Sequence, residues 1–215
     1  GAAGATVCTF YLRGISDPRV SGAVLAGVYT GQVKRRNDQQ RVKRNPRAHL
    51  PALASTPVYR SDGSGDTYAF TNYLSDVSSS WRGSIGLGTE VSFPAGVGGK
   101  GNAGVKAVVG STPGAIGYIS ASYIIAARNI SAAAVQNGAG KFELPNLANI
   151  ANAASAVKTV PANNELHIVA PGKKYKTAYP LSTFTYVIVP QNTSNAKNLT
   201  TFIHSALPTG PPSVR

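Results

Sequence analysis

The chain is poor in ionisable side chains, and poorest in acids. Only 13% of its 215 residues are charged, about half the share usual in a soluble domain. Eight Asp and Glu stand against 21 Lys and Arg. A single cysteine, Cys8, excludes an internal disulfide and a multi-cysteine zinc site. His49, His167 and His204 lie far apart, and none has a second histidine or a carboxylate at ligand spacing, so no metal is expected. No apolar run approaches the ~20 residues that cross a bilayer. No charged segment followed by an apolar one marks an intact signal peptide, although a mature secreted chain would look the same. No internal repeat is visible. What remains is globular composition, 42% hydrophobic with 23 Gly and 14 Pro. It is enough chain for one large or two small domains that fold without staples.

The net charge of +13 is unevenly placed. Lys34, Arg35, Arg36, Arg41, Lys43, Arg44 and Arg47 fall within fourteen residues, opposed only by Asp38. A run like this binds phosphate backbones, acidic lipid or another acidic surface, or is merely solvated. No aromatic residue interleaves it, and single-strand binders need such stacking platforms. The solvated face is therefore preferred, and nucleic acid is not expected as a partner. Pro46 and Pro51 bracket the end of the run, where a short helix closes into a loop.

Elsewhere, strands and helices alternate at short spacing, which points to an α/β domain with a mixed or parallel sheet. The first twenty residues carry little pattern. Residues 23–29 predict a short buried helix stopped at Gly31. Residues 55–60, 115–119, 166–169 and 184–189 predict strands. Helices are expected from Asp66, with Phe70, Tyr73, Leu74 and Val77 at three- and four-residue spacing. Further helices are expected from an Asn102 cap through Val105, Val108 and Val109, over 121–127, over 146–157 and over 199–207. Eight glycines between 83 and 104 suggest tight turns around short strands. Residues 208–215 form a loose tail.

The stretch that carries chemistry is Arg60-Ser61-Asp62-Gly63-Ser64-Gly65-Asp66-Thr67, between a strand and a helix. Unpaired backbone N–H groups at a helix start, with the positive end of its dipole, attract anions. Glycines let an anion approach the backbone. Ser64 and Thr67 add hydroxyls, and Arg60 adds a planar fork suited to phosphate oxygens. Asp62 is placed to hold Arg60. The plainer alternative is that Ser64 caps the helix while Asp62 and Asp66 sit near its positive end. Other motifs fail. Gly98-Gly99-Lys100-Gly101-Asn102 lacks the Ser or Thr that follows Lys in a nucleotide loop. Gly63-Ser64-Gly65 lacks the spacing of a hydrolase elbow. Cys8 has no identifiable activating partner and is expected to be an inert, lipid-linked or buried thiol rather than a nucleophile.

The Arg60–Thr67 octapeptide resembles the phosphate loop of the periplasmic phosphate-binding proteins, the capturing subunits of bacterial high-affinity phosphate importers. Val24–Gly31, Phe70–Leu74, Trp81, Gly96–Val105, Thr112–Tyr118 and Tyr179–Tyr186 resemble that family in the same order, covering about residues 20–210. The resemblance implies a two-lobed α/β fold of the type II periplasmic-binding-protein kind, hinged around phosphate. It implies a periplasmic or cell-surface location and delivery to the permease of an ABC importer. No enzyme activity and no cofactor are implied. Carried over, Arg60, Ser64 and Gly65 contact phosphate and Asp62 orients Arg60, with Thr67 assisting. Asp66 stands where many members carry Thr. Facing the ligand, it would accept a hydrogen bond from a protonated phosphate oxygen and disfavour sulfate. It could instead face solvent.

The family's first lobe begins with a longer segment than the one preceding Val24. Gly4-Ala5-Thr6-Val7 is only faintly similar to its loop, and Thr6 is given no role. The expected organisation is a remnant of the first lobe over 1–57, a nearly whole second lobe over 58–178, and a return strand and closing helix over 179–215. A protein that kept the fold but lost tight phosphate binding, serving as an interaction or structural partner, is the alternative function.

Overall fold

The leading stretch, which carries no alternation, is a strand in the computed structural model of the chain. The structure describes residues 2–11, 15, 18–125, 127, 129–163, 165–186, 190 and 192–206. Its elements are β1 (Ala2–Phe10), β2 (Arg19–Val20), α1 (Gly22–Tyr29), α2 (Gln39–Val42), β3 (Thr56–Arg60), α3 (Gly65–Val77), α4 (Ser79–Ser84), β4 (Val97–Gly99), α5 (Gly101–Ser111) and β5 (Ala115–Ser120). They continue with β6 (Ser131–Ala132), β7 (Ala134–Gln136), β8 (Phe142–Glu143), α6 (Leu147–Ala154), β9 (Ser182–Thr185) and α7 (Ala196–Ala206). Ala2–Thr185 packs as one compact unit, and a second begins at Tyr186 and contains α7.

The main sheet runs β4-β3-β5-β1-β6, with β9 also paired to β1. The strands β3, β4 and β5 are parallel, whereas β1 is antiparallel to β5, β6 and β9. Every residue of β1 from Ala5 to Phe10 is buried. A strand covered on both faces loses the alternation that betrays a half-exposed one, which is why the first twenty residues showed no pattern. In this way strands from the leading and closing stretches join the sheet of the middle stretch. A small second sheet has the order β2-β7-β8.

An aromatic cluster fills the core. Phe70 of α3 stacks on Tyr118 of β5 with ring centroids 4.5 Å apart, and Tyr29 of α1 meets Phe70 edge-on at 4.8 Å. Pairs of this kind add ~0.5–1.5 kcal/mol beyond their buried area. Phe70, Tyr73 and Leu74 are buried as their spacing predicts, while Val77 is 41% exposed. At the end of α1, Gly31 has φ +76°, the left-handed conformation that closes a helix.

Three expectations need correction. Residues 166–169 form no strand, although Ile168 is buried. Of the helix expected over 121–127, Ala121–Tyr123 form a single 3₁₀ turn and Ile124, Ile125 and Ala127 are not helical, while Ala126 lies outside the described residues. Asn102 does not cap α5. Lys100 holds that position, and Asn102 lies inside the helix, where its side chain ties the backbone N–H and hydroxyl of Ser120. Parts of two other expected elements, 187–189 and Leu207, and the tail 208–215 lie outside the described residues.

Within the basic run the short helix is α2, capped by Asp38, whose carboxylate accepts from the Gln40 N–H. Lys34, Arg35, Lys43 and Arg47 are exposed. Arg36 and Arg41 are not, at 4% and 5% exposure, so the solvated face does not extend to them. Among the described residues, no helix is long and apolar enough to cross a membrane.

Candidate functional site

A strand, a four-residue turn and a helix carry the site. The strand β3 lies between its parallel neighbours β4 and β5 and delivers Arg60 at its carboxyl end. In open parallel sheets the crevice at the carboxyl ends of the strands is where ligands bind. Ser64 caps α3 by accepting from the Asp66 N–H at 3.0 Å. Its hydroxyl hydrogen stays available to donate. Gly65 is exposed, and a Cβ added there meets nothing within 4 Å, so the approach to the first turn of α3 is open.

Asp62 grips Arg60 with both oxygens. The Arg60 Nε donates to Oδ1 at 2.8 Å and Nη2 to Oδ2 at 2.6 Å. The same Oδ1 accepts from the Gly101 N–H at 2.8 Å, the first residue of α5. One carboxylate thus fixes the guanidinium and satisfies an orphan donor of a second helix. These bonds hold the Asp62 carboxyl well below the usual carboxylate range, with the hydrogen bond from Arg60 as the leading cause. The Arg60 guanidinium is raised, chiefly by the hydrogen bond to Asp62. A depressed carboxylate contributes its stabilisation in full above its unfolded value of ~3.9 and loses it as pH falls through the folded value. The clasp therefore stays closed at neutral pH and opens only in strong acid.

Asp66 lies at the centre. Thr6 Oγ1 donates to its Oδ1 at 2.6 Å and Ser120 Oγ to its Oδ2 at 2.7 Å. The Arg60 Nη1 stands 3.5 Å from Oδ2. Asp66 is only 9% exposed, so the solvent-facing alternative does not hold. With Gly65, Gly4, Ala5, Ser120 and Thr183 it lines an open hollow of about 460 Å³. A carboxylate offers about four lone-pair sites, so Asp66 keeps capacity for a further donor. Arg60 also borders a second hollow, of about 610 Å³, beside Glu90.

Thr67 is placed differently from its neighbours. It is buried, and its hydroxyl shares a 2.8 Å hydrogen bond with the Tyr118 hydroxyl, which also accepts from the Arg60 N–H at 3.2 Å. Burial pushes the Tyr118 phenol up to about 12, so it stays protonated. Tyr118 thereby ties the loop to the aromatic core. Thr6 and Ser120 are the residues that sequence reasoning passed over. The similarity of Gly4-Ala5-Thr6 to the family's loop was a faint signal for the first, and nothing local signalled the second. Cys8, expected to be inert or buried, is fully buried and its thiol is pushed up by burial.

This strand–loop–helix cradle sets a fixed arginine at the carboxyl end of parallel strands, an arrangement that can hold a tetrahedral oxyanion. A family model described as the PBP superfamily domain matches residues 13–206, and the chain belongs to that superfamily. The chain is 37% identical over 178 residues to a phosphate-binding protein PstS of Xylella fastidiosa, covering 83% of this chain and 48% of that protein. It is 37% identical over 206 residues to the PstS of Methanocaldococcus jannaschii, covering 88% and 52%. The chain thus spans about half the length of the curated relatives it matches. The ancestral soluble variant of the human phosphate binding protein superposes with TM-score 0.69 at 21% identity, over 93% of this chain and 60% of that one. The fold is therefore the α/β binding-protein fold expected from the sequence.

Proposed function

We propose that the protein binds inorganic phosphate outside the cytoplasmic membrane and hands it to the permease of an ABC-type importer, as a capturing subunit rather than an enzyme. The observation that carries this is the Arg60 fork, locked by Asp62 and set beside the open first turn of α3. Arg60, the Ser64 hydroxyl and the Gly65 N–H donate to phosphate oxygens. Asp66 accepts from a protonated one. Thr67 supports through its backbone N–H and its bond to Tyr118. The relatives named phosphate-binding proteins support the ligand. The three-part organisation at residues 57 and 178 belongs to the same proposal.

The charges explain why the ligand is phosphate. Arg60 contributes one positive charge, and Asp62 and Asp66 two negative ones. A fully ionised dianion would meet net repulsion here, so binding relies on N–H and hydroxyl donors and on the ligand's own proton. Sulfate has no proton to give at neutral pH. Isothermal calorimetry tests the proposal on protein stripped of bound anion. Phosphate should bind and sulfate should not. Arg60→Ala should weaken phosphate by roughly 10–100-fold, the worth of charge-assisted hydrogen bonds of ~1.5–3 kcal/mol. Folded protein that gives no heat with phosphate, or an Arg60→Ala variant that binds as well as the parent, would falsify it.

A further inference from the structure

Two of the seven basic residues in the 34–47 run are folded inward, and burying a charge without a partner is costly. Arg36 donates through Nε to the Gly114 carbonyl at 2.8 Å and through Nη2 to that of Ala115. Arg41 donates through Nη1 to the Ser55 hydroxyl at 2.6 Å. All three acceptors are neutral. Among the described residues, the only ion pairs within 4 Å are those of Arg60. Asp38 caps α2 through one oxygen and acts on Arg41 by its charge alone, without an ion pair within 4 Å.

Arg36 and Arg41 both line one cavity of about 20 Å³, together with Phe10, Val20, Leu50 and Ile116. No carboxylate lines it, and its third charged residue is Arg19. Asn45 cannot offset the charge. Its amide nitrogen donates to the Arg19 and Arg41 carbonyls, and its oxygen accepts from the Arg19 N–H. A guanidinium carries five donors, so most of Arg41's and several of Arg36's remain uncommitted. A space of this size holds about one or two water-sized particles. It is too small for a tetrahedral oxyanion, which the hollow at Asp66 accommodates.

We propose that this cavity is a site for a small inorganic monoanion of the halide class, chloride in solution, held between Arg36 and Arg41. The site is separate from the phosphate cradle and does not depend on its assignment. It anchors the basic segment to the sheet, because Arg36 also binds the carbonyls that precede and open β5. Without the anion, burial and then the charge of Arg41 pull Arg36 down to about 9, and burial pulls Arg41 to about 10. A bound anion opposes both shifts by favouring the charged guanidinium groups.

The test uses the full chain carrying Arg60→Ala, which removes halide effects at the phosphate cradle. Unfolding midpoints are compared in sodium chloride and sodium gluconate at equal ionic strength. Chloride should raise the midpoint by about 2–4 °C, and adding Arg41→Gln should abolish the difference. In crystals of the unaltered chain grown with bromide, an anomalous peak should lie between the two guanidinium groups. That map decides the matter if the double variant does not fold. Equal midpoints in the two salts, or a cavity holding only water with no anomalous signal, overturns the proposal.

Discussion

In the proposed function Asp66 sets which anion the cradle prefers, because Thr6 and Ser120 already position its carboxylate. Thr6 and Ser120 both direct their hydroxyl donors to it. The remaining lone pairs suit a ligand that brings its own proton. An amide at this position keeps an oxygen for Thr6 but gains donors and loses the charge. Asp66→Asn should therefore admit sulfate and lower the phosphate-to-sulfate affinity ratio by roughly 10²-fold or more, the scale on which hydrogen-bonding sites reject analogues lacking the matching group. Competition calorimetry with both anions checks this, and an unchanged ratio would show that Asp66 does not read the proton. The Arg60–Asp62 clasp was legible in the sequence because its partners are two residues apart. Thr6 and Ser120 were not, since each meets Asp66 only through the pairing of β1 and β5 with the rest of the sheet.

The elements depend on glycines where backbone passes backbone. Gly99 ends β4 one residue before α5 begins, and a Cβ there would stand 2.6 Å from the Val105 nitrogen and 2.8 Å from the Gly104 carbonyl carbon. Both obstacles are main chain, so they cannot swing aside. Gly99→Ala should force β4 and α5 apart and cost about 1–3 kcal/mol. The start of α5 should move away from Asp62 as well. Chemical denaturation should report the loss, and phosphate affinity should fall with it. A variant with parental stability would mean that the strand–helix junction relaxes freely. The glycine-rich stretch was legible as turns around a short strand because glycine marks such points directly. Strand β1 was not, because full burial erases alternation. Residues 166–169 misled in the opposite direction. Their apolar character reflects burial of Ile168 and packing of Val169 against the core rather than strand formation.

Over the whole molecule, long-range and short-range electrostatics oppose each other. The net charge is +13, while Arg60, Asp62 and Asp66 together carry one net negative charge at the cradle. The global field draws an anion toward the protein. At contact, hydrogen bonds and the ligand's proton must outweigh the local repulsion. These two parts respond differently to salt. The Debye length shrinks from ~30 Å at 0.01 M to ~8 Å at 0.15 M, which screens the distant lysines and arginines but barely touches groups within hydrogen-bond distance. The phosphate association rate should therefore fall several-fold over that range, with the dissociation rate nearly constant. Replacing Lys34, Arg35, Lys43 and Arg47 with glutamine should flatten the dependence. All four are exposed, and Arg36 and Arg41 stay in place beneath them. Stopped-flow measurements on the two proteins test this. An association rate indifferent to salt would mean that the cradle's negative charge cancels the surface field on approach, and a rate that rises with salt would mean that the repulsion dominates.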